Sequence, residues 1–127
     1  MPNKTHLKFE EIILEKANNE VKPLLQEAKN RIGYIPNIYG MVANSANLLK
    51  TYTAGDVDFR KNSLFDNKEK EIIYLTISKE NACEYCVAVH STLSDTMSNV
   101  PPAVTNAIRE GGNIPDENIP HWSTLHA

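Results

Sequence analysis

Residues 66–90 read DNKEKEIIYLTISKENACEYCVAVH, and the parsing of that stretch decides the fold. Asp66 can cap a helix over residues 67–78, with Glu69 and Glu71 in its first half and the apolar set Ile72, Ile73, Leu75, Thr76 following. The apolar residues fall on almost every side of such a helix, which predicts burial between other helices. Asn81 and Ala82 break the pattern. A further helix is then expected from about residue 83 to residue 97, carrying Cys86, Val87, Val89, His90 and Leu93.

Helical signals continue outward on both sides. Pro23 suits the first turn of a helix in which Leu24, Leu25, Ala28 and Ile32 recur at helical spacing, and Gly33 ends it. Residues 31–37 read as a connection. Ile38, Met41 and Val42 suggest a short helix, and Ser45 is a suitable N-cap for a longer one with Leu48, Leu49, Tyr52 and Val57 on its apolar side. Gly55 weakens that helix without forbidding it. Beyond residue 97, Pro101 and Pro102 open a segment over residues 103–109 that Gly111 and Gly112 close. Residues 113–127 hold two prolines and a weak helical signal around 116–119, so they are expected to form an arm or the start of a further helix. No period-2 strand pattern or hairpin turn is found. The expectation is therefore all-α: one domain over residues 1–127, built from about six short helices. So few residues cannot bury every apolar face, and self-association is the expected remedy.

Composition narrows the function. The 127 residues carry a formal net charge of −3, with 41% hydrophobic and 23% charged residues, the balance of an ordinary globular chain. There is no run of Lys and Arg to neutralise several phosphates, so a nucleic-acid partner is not expected. Apolar runs such as residues 72–77 are far short of the roughly 20 residues that span a bilayer. No apolar stretch follows Met1 in the N-terminal residues, which predicts a cytoplasmic protein.

The chemistry-bearing residues lie in the second half of the opening stretch. The chain has two cysteines, Cys83 and Cys86, and a disulfide across so small a loop would constrain the unfolded chain little. Closely spaced thiols in such a setting are more often redox-active or metal-binding than architectural. On a helix, Cys86 and His90 stand one above the other, so the imidazole can reach the thiol directly or through a water. A free thiol titrates near about 8.5, and its nucleophilic form is the thiolate. The helix N-terminus contributes roughly 0.3–1 kcal/mol toward that charge, which leaves most of the work to His90 as general base. Glu71 on the preceding helix can orient His90 and complete a triad; Glu80 and Glu84 are rival carboxylates at an exposed helix start. The plainer alternatives are a capping or surface role for Glu71 and two cysteines that merely fill a core. Zinc would need four ligands, and His6, His121, His126 or a carboxylate supplies no fourth at a motif spacing, so no metal or cofactor is expected. His121 and His126 beside Trp122 read as surface or interface residues, and Tyr34, Tyr52, Tyr74 and Phe65 as core or contact residues.

Taken together, Glu71 with its apolar run, Ser78, Asn81, Cys83, Tyr85, Cys86 and His90 resemble the signature of the carboxymuconolactone decarboxylase superfamily, in its AhpD-like alkylhydroperoxidase branch. The matched block covers residues 63–95, and the Ile35-Pro36-Asn37 turn fits as well. The resemblance implies an all-α fold and a homo-oligomer, a trimer or a hexamer built from dimers. It implies that Cys86 attacks a peroxide and becomes a sulfenic acid, that Cys83 resolves it to a disulfide, and that Glu71 and His90 form the proton relay. A dithiol reductant, a lipoyl-bearing or thioredoxin-like protein, would restore the thiols. Tyr85 stands where the best-known peroxidase members carry a second histidine, and a phenol titrating near about 10 is a poor base at neutral pH. A disulfide exchanger or redox sensor without peroxidase turnover is the alternative. Lactone decarboxylases of the superfamily lack the paired cysteines, which places that activity further off.

Overall fold

The computed structural model describes residues 8–115. The readings placed on His6, His121, Trp122, His126 and the weak helical signal at 116–119 lie outside them, as does most of the 113–127 arm. The described residues form six α-helices and one short 3-10 turn, with no strand, as expected of an all-α chain. None of these helices is long and apolar enough to cross a membrane. The chain divides into two compact units, residues 1–61 and 62–127.

The first unit contains the 3-10 turn Leu14–Lys16, α1 (Lys22–Ile32), α2 (Asn37–Val42) and most of α3 (Ala46–Asn62). The Asn18 side chain accepts from the backbone N–H groups of Glu20 and Val21, both at 3.0 Å, and turns the chain into α1. Pro23 occupies the first turn, and Gly33 closes the helix in the left-handed conformation at φ 97°, which a side chain would strain. At Gly40 of α2 the constraint is space instead. A Cβ there would lie 2.6 Å from Glu11 Cγ, because the segment before the 3-10 turn crosses the helix and the Ile12 N–H donates to the Gly40 carbonyl at 3.0 Å. Val21, Leu25, Ala28, Tyr39, Ala43 and Leu49 form the core of this unit.

Ser45 caps α3 as expected, its hydroxyl accepting from the Leu48 N–H at 3.2 Å. The apolar side of α3 is narrower than its sequence suggests. Leu49 is fully buried, whereas Leu48 is 54% exposed and Tyr52 42% exposed. Consecutive helical residues diverge by about 100°, and here Leu48 turns outward while Leu49 enters the core. Tyr52 instead meets the buried Tyr39 edge-on, with ring centroids 5.6 Å apart.

The second unit is built from α4 (Asn67–Glu80), α5 (Glu84–Thr96) and α6 (Pro102–Glu110). Asp66 and Glu69 form a reciprocal capping box at the start of α4, with the Asp66 side chain accepting from the Glu69 N–H at 2.8 Å and the Asp66 N–H donating back at 2.9 Å. The helix runs two residues past the expected Ser78. Its burial is broad but incomplete: Lys70, Glu71, Ile72, Leu75 and Ser78 are buried, but Ile77 is 54% exposed. That corrects the expectation of burial all round. Residues 72 and 75 are three apart and share a face, and residue 77 turns away from it. Ile72 and Leu75 pack with Val100, Val104 and Ile108, flanked by Val87 and Ile114. Between α4 and α5 the chain reverses through Asn81 and a left-handed Ala82, and the Cys83 N–H donates to the Ser78 carbonyl at 3.0 Å. α4 packs chiefly against α5, and α6 packs on both.

Candidate redox site

Within the second unit, α4 and α5 bring four of the five expected site residues into two linked pairs. The first pair is Cys83 and Cys86, which are joined by a disulfide. Cys83 is not the first helical residue of α5 but its N-cap, and its Sγ accepts from the Cys86 N–H at 3.2 Å. A helix N-terminus leaves its first N–H groups without intrahelical partners, and one of them is here turned on sulfur. The sulfur of Cys83 therefore sits where the helix favours negative charge. Cys86, in the first turn, shares a helical face with His90 one turn later.

The second pair is Glu71 and His90. The His90 Nδ1 lies 2.9 Å from Glu71 Oε2, across 19 residues of sequence and two helices. An ionised carboxylate only accepts, so with Glu71 ionised it is Nδ1–H that donates, and in the neutral tautomer the ring carries its one proton there. This leaves Nε2 as the basic nitrogen. Glu71 is 1% exposed, so it is not a surface glutamate, and a carboxylate so buried calls for a partner, which His90 supplies. Glu80 and Glu84 are both exposed; Glu84 opens α5 as expected, whereas Glu80 is the last residue of α4 rather than part of the next helix start.

Two buried serines hold the backbone around this pair. The Ser94 hydroxyl donates to the His90 carbonyl at 2.6 Å, and the Ser78 hydroxyl donates to the Tyr74 carbonyl at 2.6 Å. The sequence suggests only a core or contact role for Tyr74. In the structure its ring lies flat against the His90 imidazole, with centroids 4.6 Å apart and planes 4° from parallel. The available signal was its spacing, since Tyr74 follows Glu71 by three and shares its helical face.

Tyr85 stands apart from the other candidates. It is 41% exposed, on the first turn of α5. No group of three or more His, Cys, Asp or Glu side chains among the described residues could hold a metal ion. The geometry thus provides a thiol pair that can pass between dithiol and disulfide, beside an imidazole oriented by a buried carboxylate.

No curated protein matches the chain. Residues 45–94 do match a known family, and the match runs from Ser45 to Ser94, covering Glu71, the cysteine pair and His90. The family model that matches this segment is that of the carboxymuconolactone decarboxylase family.

Proposed function

We propose that the protein is a thiol-dependent hydroperoxide reductase of the AhpD-like branch. The observation that carries this reading is the Cys83–Cys86 disulfide at the start of the helix that presents His90 to Glu71. In the reduced protein, His90 Nε2 takes the Cys86 proton and leaves a thiolate. The thiolate attacks one peroxide oxygen and the O–O bond breaks. Cys86 becomes a sulfenic acid, and the departing alkoxide or hydroxide takes the proton from His90 and leaves as alcohol or water. Cys83, as a thiolate favoured by the helix N-terminus, attacks the sulfenic sulfur. Hydroxide leaves with a proton as water, and the disulfide forms. A dithiol of the lipoyl or thioredoxin-like class then reduces it by exchange and is itself oxidised to a disulfide. The working form is a homo-oligomer in the cytoplasm, in the service of antioxidant defence.

Cys86→Ser is expected to abolish peroxide-dependent oxidation of an added dithiol, measured as peroxide consumed. Unchanged consumption in that variant would remove the reading. The exposure of Tyr85 favours a second possibility, disulfide exchange without peroxidase turnover. In that case a purified, dithiol-supplied protein exchanges disulfides with a test substrate but consumes no peroxide.

A further inference from the structure

We propose that Tyr74 is a positioning residue for His90: its ring face sets the plane of the imidazole and supports the positive charge that the ring takes on when Cys86 loses its proton. The inference rests on the acid–base role given to His90 above and adds a residue to it. Glu71 and Tyr74 are three apart on α4, so one helix face meets the imidazole twice. The two contacts fix different freedoms. The carboxylate at 2.9 Å fixes which ring edge points inward, and the parallel ring at 4.6 Å fixes the tilt of the plane. Together they leave Nε2 as the nitrogen available to Cys86. The Ser78 hydroxyl on the Tyr74 carbonyl anchors the same turn of α4.

The stack also bears on charge. An aromatic face carries negative quadrupole density and attracts a cation lying over it more strongly than a neutral ring. Proton transfer from Cys86 Sγ to His90 Nε2 turns the imidazole into such a cation, while Glu71 continues to accept from Nδ1–H. Both neighbours from α4 therefore favour the imidazolium and thiolate over the neutral pair. A side chain that filled the same space without a π face would keep the packing and lose this preference.

The test places Tyr74→Phe, Tyr74→Leu and Tyr74→Met in a Cys83→Ser background, where Cys86 is the sole thiol and serine remains a good N-cap. The readouts are the ultraviolet thiolate absorbance at neutral pH and the rate of alkylation by iodoacetamide, with circular dichroism to establish folding. Tyr74→Phe, which keeps the ring, is expected to match the parent, while Leu and Met reduce the thiolate signal and slow alkylation about threefold to tenfold. Folded Leu or Met variants that alkylate at the parent rate would overturn the proposal, as would a Phe variant that falls with them or a parent without thiolate signal. Met is more adaptable than Leu and serves if Leu fails to fold. Peroxide turnover is measured separately with both cysteines present. No turnover in the wild type, with a thiolate that still depends on the ring, removes the peroxidase reading and keeps the role of Tyr74. Full turnover in Tyr74→Leu does the reverse.

Discussion

The two compact units bury different kinds of side chain. Among the described residues of the first unit, the buried set is Val21, Leu25, Ala28, Tyr39, Ala43 and Leu49, with Gly40, and its polar content is a single phenol. Among the described residues, the buried side chains of the polar or charged classes, Lys70, Glu71, Ser78, Ser91, Ser94 and Thr105, belong to the second. Burying such groups opposes folding unless each is hydrogen-bonded, and a buried charge costs most. The second unit accepts that cost where the cysteine pair and His90 are, because a carboxylate can orient an imidazole firmly only if water does not compete for it. The described core of the first unit is apolar. The contrast separates residues kept for packing from residues kept for chemistry, and substitutions can test it on either side.

The largest effect is expected in the first unit. Leu25 is completely buried, and Leu25→Ala should lower unfolding free energy by about 2–5 kcal/mol through lost burial and the cavity left behind. Urea denaturation checks the size, and the folded fraction should alkylate its reduced cysteines at the wild-type rate. A change in that rate would break the division between packing and chemistry. Glu71→Gln makes the complementary test. The amide oxygen can still accept from Nδ1–H, so stability should move by no more than about 1 kcal/mol. Without its negative charge, however, the side chain cannot support the imidazolium, and peroxide turnover should fall about tenfold to a hundredfold. Wild-type turnover in this variant would reduce Glu71 to a packing residue.

How much of this was legible in the sequence depended on whether a feature is local. Helix ends are local chemistry, and Asp66, Pro23, Gly33, Ser45, Pro102 and Gly111 stand at the ends their residue types suggest. The 3-10 turn Leu14–Lys16 carries no periodic signal long enough to mark it. Facing is only partly local. Ile77 and Leu48 lie in apolar runs, and only the packing of neighbouring helices decides that they point outward. In the site, the Cys86 and His90 spacing follows from one helix. The 2.9 Å approach of Glu71 depends instead on how α4 is folded back against α5 by the turn at Ala82. Tyr74 was hidden for a further reason. An aromatic residue in an apolar run is usually core, and its face on His90 becomes visible only when both helices are placed.

The smallest effect sharpens the comparison within the second unit itself. Not all of its buried polar atoms are engaged: the Thr105 hydroxyl, on a fully buried side chain of α6, has no hydrogen-bond partner among the described residues, while Ser94 and Ser78 are bonded to the backbone beside His90 and Tyr74. An unpaired buried hydroxyl opposes folding, and its neighbours Val104 and Ile108 offer an apolar setting. Thr105→Val replaces the hydroxyl by a methyl group of nearly the same size. It should raise unfolding free energy by about 1 kcal/mol in urea denaturation and leave thiol reactivity unchanged. A gain would show that polar burial in this unit stabilises only where it is bonded around Glu71 and His90. A loss would mean that the Thr105 hydroxyl finds a bond in solution, so that α6 shares in the polar network that α4 and α5 build.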